Sequence, residues 1–396
     1  MDEADLATGA AARIRAAQEG LRAAGLDGWL LYDFPGKNPI FFQLLGAPRH
    51  TTRRCYLLIP REGEPRLLIH RIDQPALRPF GVGMETYLTW QELGAALPRF
   101  LGARRRLAMD YSPGAVLPVV SRADAGTVEL VRSLGIEVVS SADLIQSAVA
   151  RWSERDRHDH EAASERLMAA LDAALEHVRT GVDGGLTEHG VQQFMLADFA
   201  RRGIETEDPP IVAVNAHAGD PHHEPSAVDD TPIRRGDFLL IDLWARLGPG
   251  RVYADSTWTA YLGDSPSAKQ REVFEVVIRA RDAAIERIRA GVARGEAVEG
   301  WQVDRAARSV VEAAGYGDRF THRTGHSLGQ QVHGPGVNLD DYETHDTRTL
   351  IEGVAVTVEP GIYLPDFGVR SEVNVLMTAE GPRVTTRLQR EITLLR

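Results

Sequence analysis

The sequence predicts an α+β protein built in two domains, and three observations carry that expectation. At 396 residues the chain exceeds the size at which a single hydrophobic core stops growing. Its first third alternates short apolar strands with amphipathic helical stretches, the order of a small α/β unit. Its remainder sets long helices beside strands that fold back through turn-rich loops, the order of antiparallel hairpins flanked by helices. No block recurs at a fixed period and the composition is near the globular average, so neither a repeat array nor a disordered chain is expected.

Residues 12–25 have the periodicity of an amphipathic helix, and "GWLLY" after them reads as a strand. Two further apolar runs, "CYLLIP" and "PRLLIH", flank the turn-rich "REGE". Strand and helix signals then alternate through "RRLAMDY", "AGTVELVRSLG" and "IEVVS", completing a first domain over residues 1–147. From Ala148 to about Thr180 the chain becomes a highly charged helix with Leu167, Ala170, Leu171 and Leu175 at helical spacing, which opens a second domain, 148–396. His158 and His160 lie among its charges and read as residues of an exposed helix face. Helices are expected at about 186–202, 266–292 and 298–314, with strands in "DFLLIDLWA", "RVYADSTWTAYLG", "AVTVEPGIYL" and "GVRSEVNVLMT".

Composition narrows the function. With 45 basic and 56 acidic residues the net charge is −11, which repels a phosphate backbone, and the arginine runs are short and scattered. Nucleic acid is therefore not the expected partner. The single cysteine, Cys55, excludes an intrachain disulfide, and the acidic first twenty residues lack the basic and apolar regions of a secretory signal. No apolar stretch approaches the ~20 residues of a membrane helix. A soluble cytoplasmic protein with no membrane partner is the expectation.

The chemistry is announced by carboxylates in apolar strands. Asp242 interrupts "FLLIDLWA", and an unpaired buried carboxylate costs several kcal/mol. Asp255 lies on the following strand, and a hairpin centred between Gly248 and Pro249 sets the two aspartates opposite one another, with Cβ atoms ~4.5–5.5 Å apart. Neither strand carries a lysine or arginine placed to separate them. Glu359 in "AVTVEPGIY" and Glu372 in "GVRSEVNVLMT" repeat the puzzle, and a period of two puts Arg370, Glu372 and Asn374 on one face of the last strand. A glycosidase-like acid/base pair accounts for two carboxylates but not four beside a histidine-rich segment. Two divalent cations balance four carboxylates, whereas one leaves charge over. Oxygen donors with imidazole and no thiolate suit Mn²⁺, Co²⁺, Zn²⁺ or Fe²⁺.

The segment "THRTGHSLGQQVHGPG" supplies the imidazoles. His322 and His326 have the i, i+4 spacing of a helical zinc motif, but two glycines argue against a helix and the "HE" dipeptide is missing. In an extended chain His322 and His326 share a face and His333 does not, so spacing leaves open which of them bind metal.

Five segments, "LLIDLWA", "YADSTWT", "HRTGHSLGQQVHGPG", "VTVEPGIY" and "GVRSEVNVLMT", resemble the signature segments of the M24 metallopeptidases, the pita-bread family of methionine aminopeptidases, aminopeptidases P and prolidases. The resemblance covers roughly residues 150–396. More weakly, the first third resembles the creatinase/prolidase amino-terminal domain.

Carried over residue by residue, the resemblance makes Asp242, Asp255, His326, Glu359 and Glu372 the ligands of two divalent metal ions, Mn²⁺ ahead of Co²⁺ or Zn²⁺, with Asp255 and Glu372 bridging. It makes Glu359 a proton shuttle as well, and gives catalytic or substrate-contacting places to His222, His322 and His333. Arg370 either contacts substrate or supports Glu372 through a salt bridge. His223 reads as a surface loop residue.

Prolidases place an arginine before the "EPGIY" segment, and Arg348 is the nearest here. The implied function is hydrolysis of an Xaa-Pro bond in a small peptide, as a dipeptidase rather than an aminopeptidase P. A creatinase-like amidinohydrolase and a non-catalytic M24-fold binding module are the other readings, and the complete ligand set speaks against both. The family also implies a homodimer. The chain departs from the pattern in the 13-residue spacing of its aspartates, in Trp258 where arginine is common, in "HG" for "HE" and in "EV" for "ED".

Overall fold

A computed structural model describes residues 3–46 and 51–396. Contacts divide the chain into two compact units, Met1–Arg151 and Trp152–Arg396. The first unit is a six-stranded sheet in the order Gly83–Tyr87, Arg66–His70, Cys55–Pro60, Gly28–Asp33, Arg106–Met109, Glu137–Ser140. Gly28–Asp33 and Cys55–Pro60 are buried along their whole length, which explains why both read as continuous apolar runs rather than alternating ones. The amphipathic helix spans Glu3–Ala23. A buried carboxylate, Asp110, ties this unit together by accepting hydrogen bonds from Trp29, Asn38 and Ser141.

The charged helix of the second unit runs Glu154–Gly181, beginning later than the sequence suggested. Ser153 caps it, with Ser153 and Asp156 bonded reciprocally, while Ala148 and Val149 belong to the apolar core of the first unit. His160 is not on the exposed face. It is fully buried, with Nδ1 at 2.9 Å from the Tyr253 carbonyl and Nε2 at 2.6 Å from Thr385 Oγ1, and burial pulls its pKa down to about 4. Charged neighbours in sequence hid it because they occupy the opposite side of the helix.

Helices Glu188–Arg202, Ala268–Ala293 and Gly300–Ala313 surround two four-stranded sheets and a short two-stranded one. One sheet has the order Thr393–Leu394, Ala254–Tyr261, Phe238–Ala245, Ile211–Val214, and the other Ser327–Leu328, Ala355–Val358, Val373–Thr378, Gly381–Val384. The apolar side of the Phe238–Ala245 and Ala254–Tyr261 hairpin packs on helices Glu154–Gly181 and Glu188–Arg202 through Leu239, Ile241, Trp258 and Ala260. Its other side carries Asp242 and Asp255.

Both carboxy-terminal ligand strands are interrupted where the sequence read them as continuous. Ala355–Val358 stops before Glu359 and Pro360, and Gly361–Tyr363 resumes after them. Gly368–Arg370 likewise stops before Ser371 and Glu372, and Val373–Thr378 follows. Proline has no N–H for the ladder, which accounts for the first break. Both glutamates therefore sit at breaks, with their backbone N–H groups directed elsewhere: Glu359 donates to the Thr324 carbonyl at 2.7 Å.

Candidate metal centre

The five carboxylate and imidazole candidates converge because their strands cross at one place. Asp242 and Asp255 occupy the same face of their hairpin, but they are not opposite one another. Asp242 pairs with Thr257, and Asp255 with Trp244. The turn is centred one residue later than expected, between Pro249 and Gly250. The strand ends are claimed by other partners: Arg246 exchanges backbone hydrogen bonds with Glu205, and the Tyr253 N–H donates to Gly329. The aspartates thus sit diagonally, and the Thr257 hydroxyl lies between Asp242 and Glu372, 2.7 Å from Asp242 Oδ1 and 2.8 Å from Glu372 Oε2. Its one proton serves either carboxylate but not both at once.

His326 reaches the same place from the segment 321–336. Close backbone packing puts it there: a Cβ on Gly325 would meet the Thr357 carbonyl oxygen at 2.0 Å, so only glycine lets the two segments approach. The Nδ1–H of His326 donates to the Ser327 carbonyl at 3.0 Å. A carbonyl only accepts, so Nε2 is left with its lone pair. That lone pair faces Asp255 Oδ2 at 3.7 Å and Glu359 Oε1 at 3.4 Å. Burial holds the imidazole neutral by lowering its pKa well below the ordinary value. Lone pairs directed at one another at this range repel unless a cation lies between them.

Asp255 carries the same message, because its buried Oδ1 accepts no hydrogen bond among the described residues. Burial raises the pKa of Asp255, Glu372 and Glu359, and carboxylate neighbours add to the effect; Glu359 is pushed up to about 7. Ligand atoms of Asp255, His326 and Glu372 lie within 4.8 Å of one another. Four carboxylates around an imidazole held in its metal-binding tautomer fit a pair of divalent cations.

All nine residues singled out from the sequence, Asp242, Asp255, His326, Glu359, Glu372, His222, His322, His333 and Arg370, line one cavity of about 300 Å³. His222 and His333 are exposed at its walls, and His333 stacks edge-on against His326 with ring centroids 4.3 Å apart. Ile211, Pro221, Trp244 and Val332 supply an apolar side.

Arg370 supports Asp242 rather than Glu372. Its Nη2 donates to Asp242 Oδ2, Nε to Thr257 at 3.0 Å and Nη1 to the Tyr363 hydroxyl at 3.0 Å. Among the described residues it is the guanidinium that touches one of the four carboxylates, Asp242, and it comes from a third strand rather than from the hairpin. His322 also has both ring nitrogens engaged. Its Nδ1–H donates to the Arg323 carbonyl at 2.7 Å, so Nε2 accepts the Tyr363 O–H, also at 2.7 Å. Burial first, then the charge of Arg370, pushes its pKa down to about 3.

Tyr363 was overlooked in the sequence, although its polar tip in the otherwise buried "GIY" strand was a usable signal. Arg348 lies elsewhere: its guanidinium is buried against Asp346 and the Pro335 carbonyl and does not reach the cavity. Beside Arg370, the arginine in the cavity wall is Arg323, whose Nη1 is 3.0 Å from Glu343 Oε2. Trp258 does not shape the cavity, since its ring packs in the helix-facing core and its Nε1–H donates to Thr393 at 2.8 Å.

His223 is not a free loop residue. Its Nε2 is 2.9 Å from Glu188, on the first turn of the Glu188–Arg202 helix.

The sequence profile of metallopeptidase family M24 matches residues 159–379. The Xaa-Pro dipeptidase of Pyrococcus furiosus is 33% identical over 234 residues, 59% of this chain and 62% of that protein. The probable dipeptidase PepE of Mycobacterium tuberculosis is 28% identical over 380 residues, 94% of this chain and 92% of the relative. The matched stretch is just under two thirds of the length of the Pyrococcus enzymes, 62% in one and 66% in the other. Among solved structures, dipeptidase PepE from Mycobacterium ulcerans superposes with a TM-score of 0.80 at 26% identity, covering 98% of both chains. The prolidase of Pyrococcus horikoshii gives 0.69 at 26% identity, covering 96% of this chain and 99% of that one.

Proposed function

The chain belongs to metallopeptidase family M24, with that family's pita-bread fold, and on this premise we propose that it hydrolyses the Xaa-Pro bond of small peptides, as an Xaa-Pro dipeptidase. The observation that carries the reading is the bare Nε2 of His326 directed at the oxygens of Asp255 and Glu359. Asp242, Asp255, His326, Glu359 and Glu372 hold two divalent ions, Mn²⁺ ahead of Co²⁺ or Zn²⁺. When bound, such a pair supplies Lewis acidity to the attacking water and to the scissile carbonyl.

The chain's own residues do the rest. Glu359 takes the proton of the attacking water on its carboxylate and returns it to the departing proline nitrogen. His333 and His222, at the cavity walls, donate to the oxyanion and to the peptide backbone. Arg370 holds Asp242 in place, and the Tyr363 hydroxyl, accepting from Arg370 and donating to His322, fixes both side chains in the cavity wall. The apolar side, including Trp244, receives the residue before proline.

Arg323 favours a dipeptide over a longer peptide, because a guanidinium in the cavity wall neutralises the carboxylate that a dipeptide presents beside the scissile bond. Arg323→Ala is expected to raise KM for an Xaa-Pro dipeptide by about 30-fold, the loss of one charge-assisted hydrogen bond of roughly 2 kcal/mol. An equal effect on the corresponding Xaa-Pro amide would show that the arginine does not read the carboxylate.

Hydrolysis of an Xaa-Pro dipeptide and an Xaa-Pro-containing tripeptide, compared after chelation and separate re-addition of each ion, tests the whole reading. Activity restored by Mn²⁺ and confined to the dipeptide is the expected result. Preference for the tripeptide identifies an aminopeptidase P, and inactivity with every ion a binding protein. The reading extends to a cytoplasmic homodimer, for which sedimentation velocity is the measurement.

A further inference from the structure

A second group of metal-ligand side chains lies outside the catalytic cavity. Glu188 is on the first turn of the Glu188–Arg202 helix, and its side chain is only 1% exposed. His217, in the short helical turn Asn215–Gly219, places Nδ1 at 2.9 Å from Glu188 Oε2. His223 places Nε2 at 2.9 Å from the same oxygen. The two imidazoles stack with centroids 4.1 Å apart and planes 29° apart. None of the three lines the catalytic cavity.

We propose that Glu188, His217 and His223 form a separate binding site for one divalent cation of the zinc class. Glu188 is a buried carboxylate whose ion-pair partners, among the described residues, are these two imidazoles alone. Its other oxygen accepts the Val214 N–H at 2.7 Å, and the helix N-terminus adds only a partial positive charge. A buried anion of this kind costs several kcal/mol until a full positive charge is supplied. Protonating both imidazoles stacks two like charges face to face. Protonating one balances the charge and leaves the second imidazole to donate a neutral N–H to the same oxygen, an arrangement that zinc content separates from a bound cation.

A divalent cation uses all three groups at once. Two imidazole nitrogens and one carboxylate form a donor set suited to zinc and its neighbours, unlike the oxygen-rich catalytic set. His217 is 33% exposed and His223 15%, so solvent reaches the site and can complete the coordination.

The cation would join the helix start to the segment that carries His222 into the cavity. That segment is already held closely on its other side. A Cβ on Gly368 would meet the Ala218 carbonyl oxygen at 1.7 Å, and one on Gly219 would meet the Leu364 carbonyl oxygen at 2.2 Å. Asn215, at its start, has a left-handed φ of 49°, and its amide is fixed by Asp237 and by the Phe238 N–H. Bound metal would fix the remaining free side of the segment, and with it the position of His222.

The test uses the full-length chain, stripped of metal, equilibrated with Zn²⁺ and freed of excess, with zinc per chain read by elemental analysis. His217→Ala and Glu188→Gln are expected to hold one equivalent fewer than the wild type. The difference should persist when each is combined with Asp255→Asn, so the result does not depend on what the catalytic centre retains. With Co²⁺ in place of zinc, His217→Ala should lose one equivalent's share of the visible absorption. Should Glu188→Gln fail to fold, the part-exposed His217→Ala decides alone. Equal zinc content in wild type and folded His217→Ala would overturn the site and leave a proton-balanced hydrogen-bond cluster in its place.

Discussion

Asp255→Asn is expected to abolish turnover and to lower the affinity for metal together, each by more than about 100-fold. Losing a partner one shell removed from a metal already costs 10- to 100-fold, and Asp255 stands in the centre itself. The asparagine is nearly isosteric, so the hairpin register of Trp244 opposite residue 255 and the bond that the backbone N–H of 255 donates to Asn374 Oδ1 are retained. What changes is charge and donor type: one of four carboxylates becomes neutral, and an N–H₂ competes for the place of a lone pair. Elemental analysis and a dipeptide assay on the same preparation check this. Full metal content with unchanged activity would remove Asp255 from the ligand set and with it the dinuclear reading.

In the metal-stripped protein the carboxylates of the cavity are expected to contribute progressively less stability as pH rises from 5 to 8. The buried imidazoles of His160, His322 and His326 contribute in the opposite direction, because their lowered pKa values make the folded chain bind fewer protons there than the unfolded one. Asp255, Glu372 and Glu359 all have folded-state pKa values raised by burial and by one another, that of Glu359 to about 7. Between the ordinary carboxylate pKa and these higher values these three groups bind more protons in the folded chain than in the unfolded one, so their contribution to stability falls with pH across that window. Glu359 alone accounts for about 3 kcal/mol over the range. Chemical denaturation of the stripped protein at several pH values measures the slope, and Glu359→Gln should shift it upward by removing a falling contribution. Saturating divalent metal should reverse the trend, because it binds the ionised carboxylates. An unaltered slope in Glu359→Gln would contradict the crowding of these acids.

Much of the centre could be read before any fold was known, because its residues violate local expectations. Asp242 in a strand buried on both sides demands a compensating group wherever the strand goes, and the same holds for Asp255 and Glu372. Periodicity gave the face of each hairpin residue but not its partner. The two-residue offset that puts Thr257, rather than Asp255, opposite Asp242 comes from Glu205 and Gly329, which lie outside the hairpin. Arg348 was a reasonable guess from its place in the chain. A tight pair with Asp346 holds it away from the cavity, and Arg323, next to a histidine already under suspicion, takes the wall instead.

Residue chemistry along the chain therefore determined that several buried acids must share cations, and that the carboxy-terminal two thirds hold them. Which imidazole presents a bare nitrogen, which arginine touches an aspartate and which histidine turns inward to Glu188 were decided only by the tertiary structure. The physical reason is range. Burial of a charge is penalised wherever it occurs and so leaves its mark on local sequence, whereas a hydrogen bond is set by positions within about 3 Å that the chain brings together from far apart.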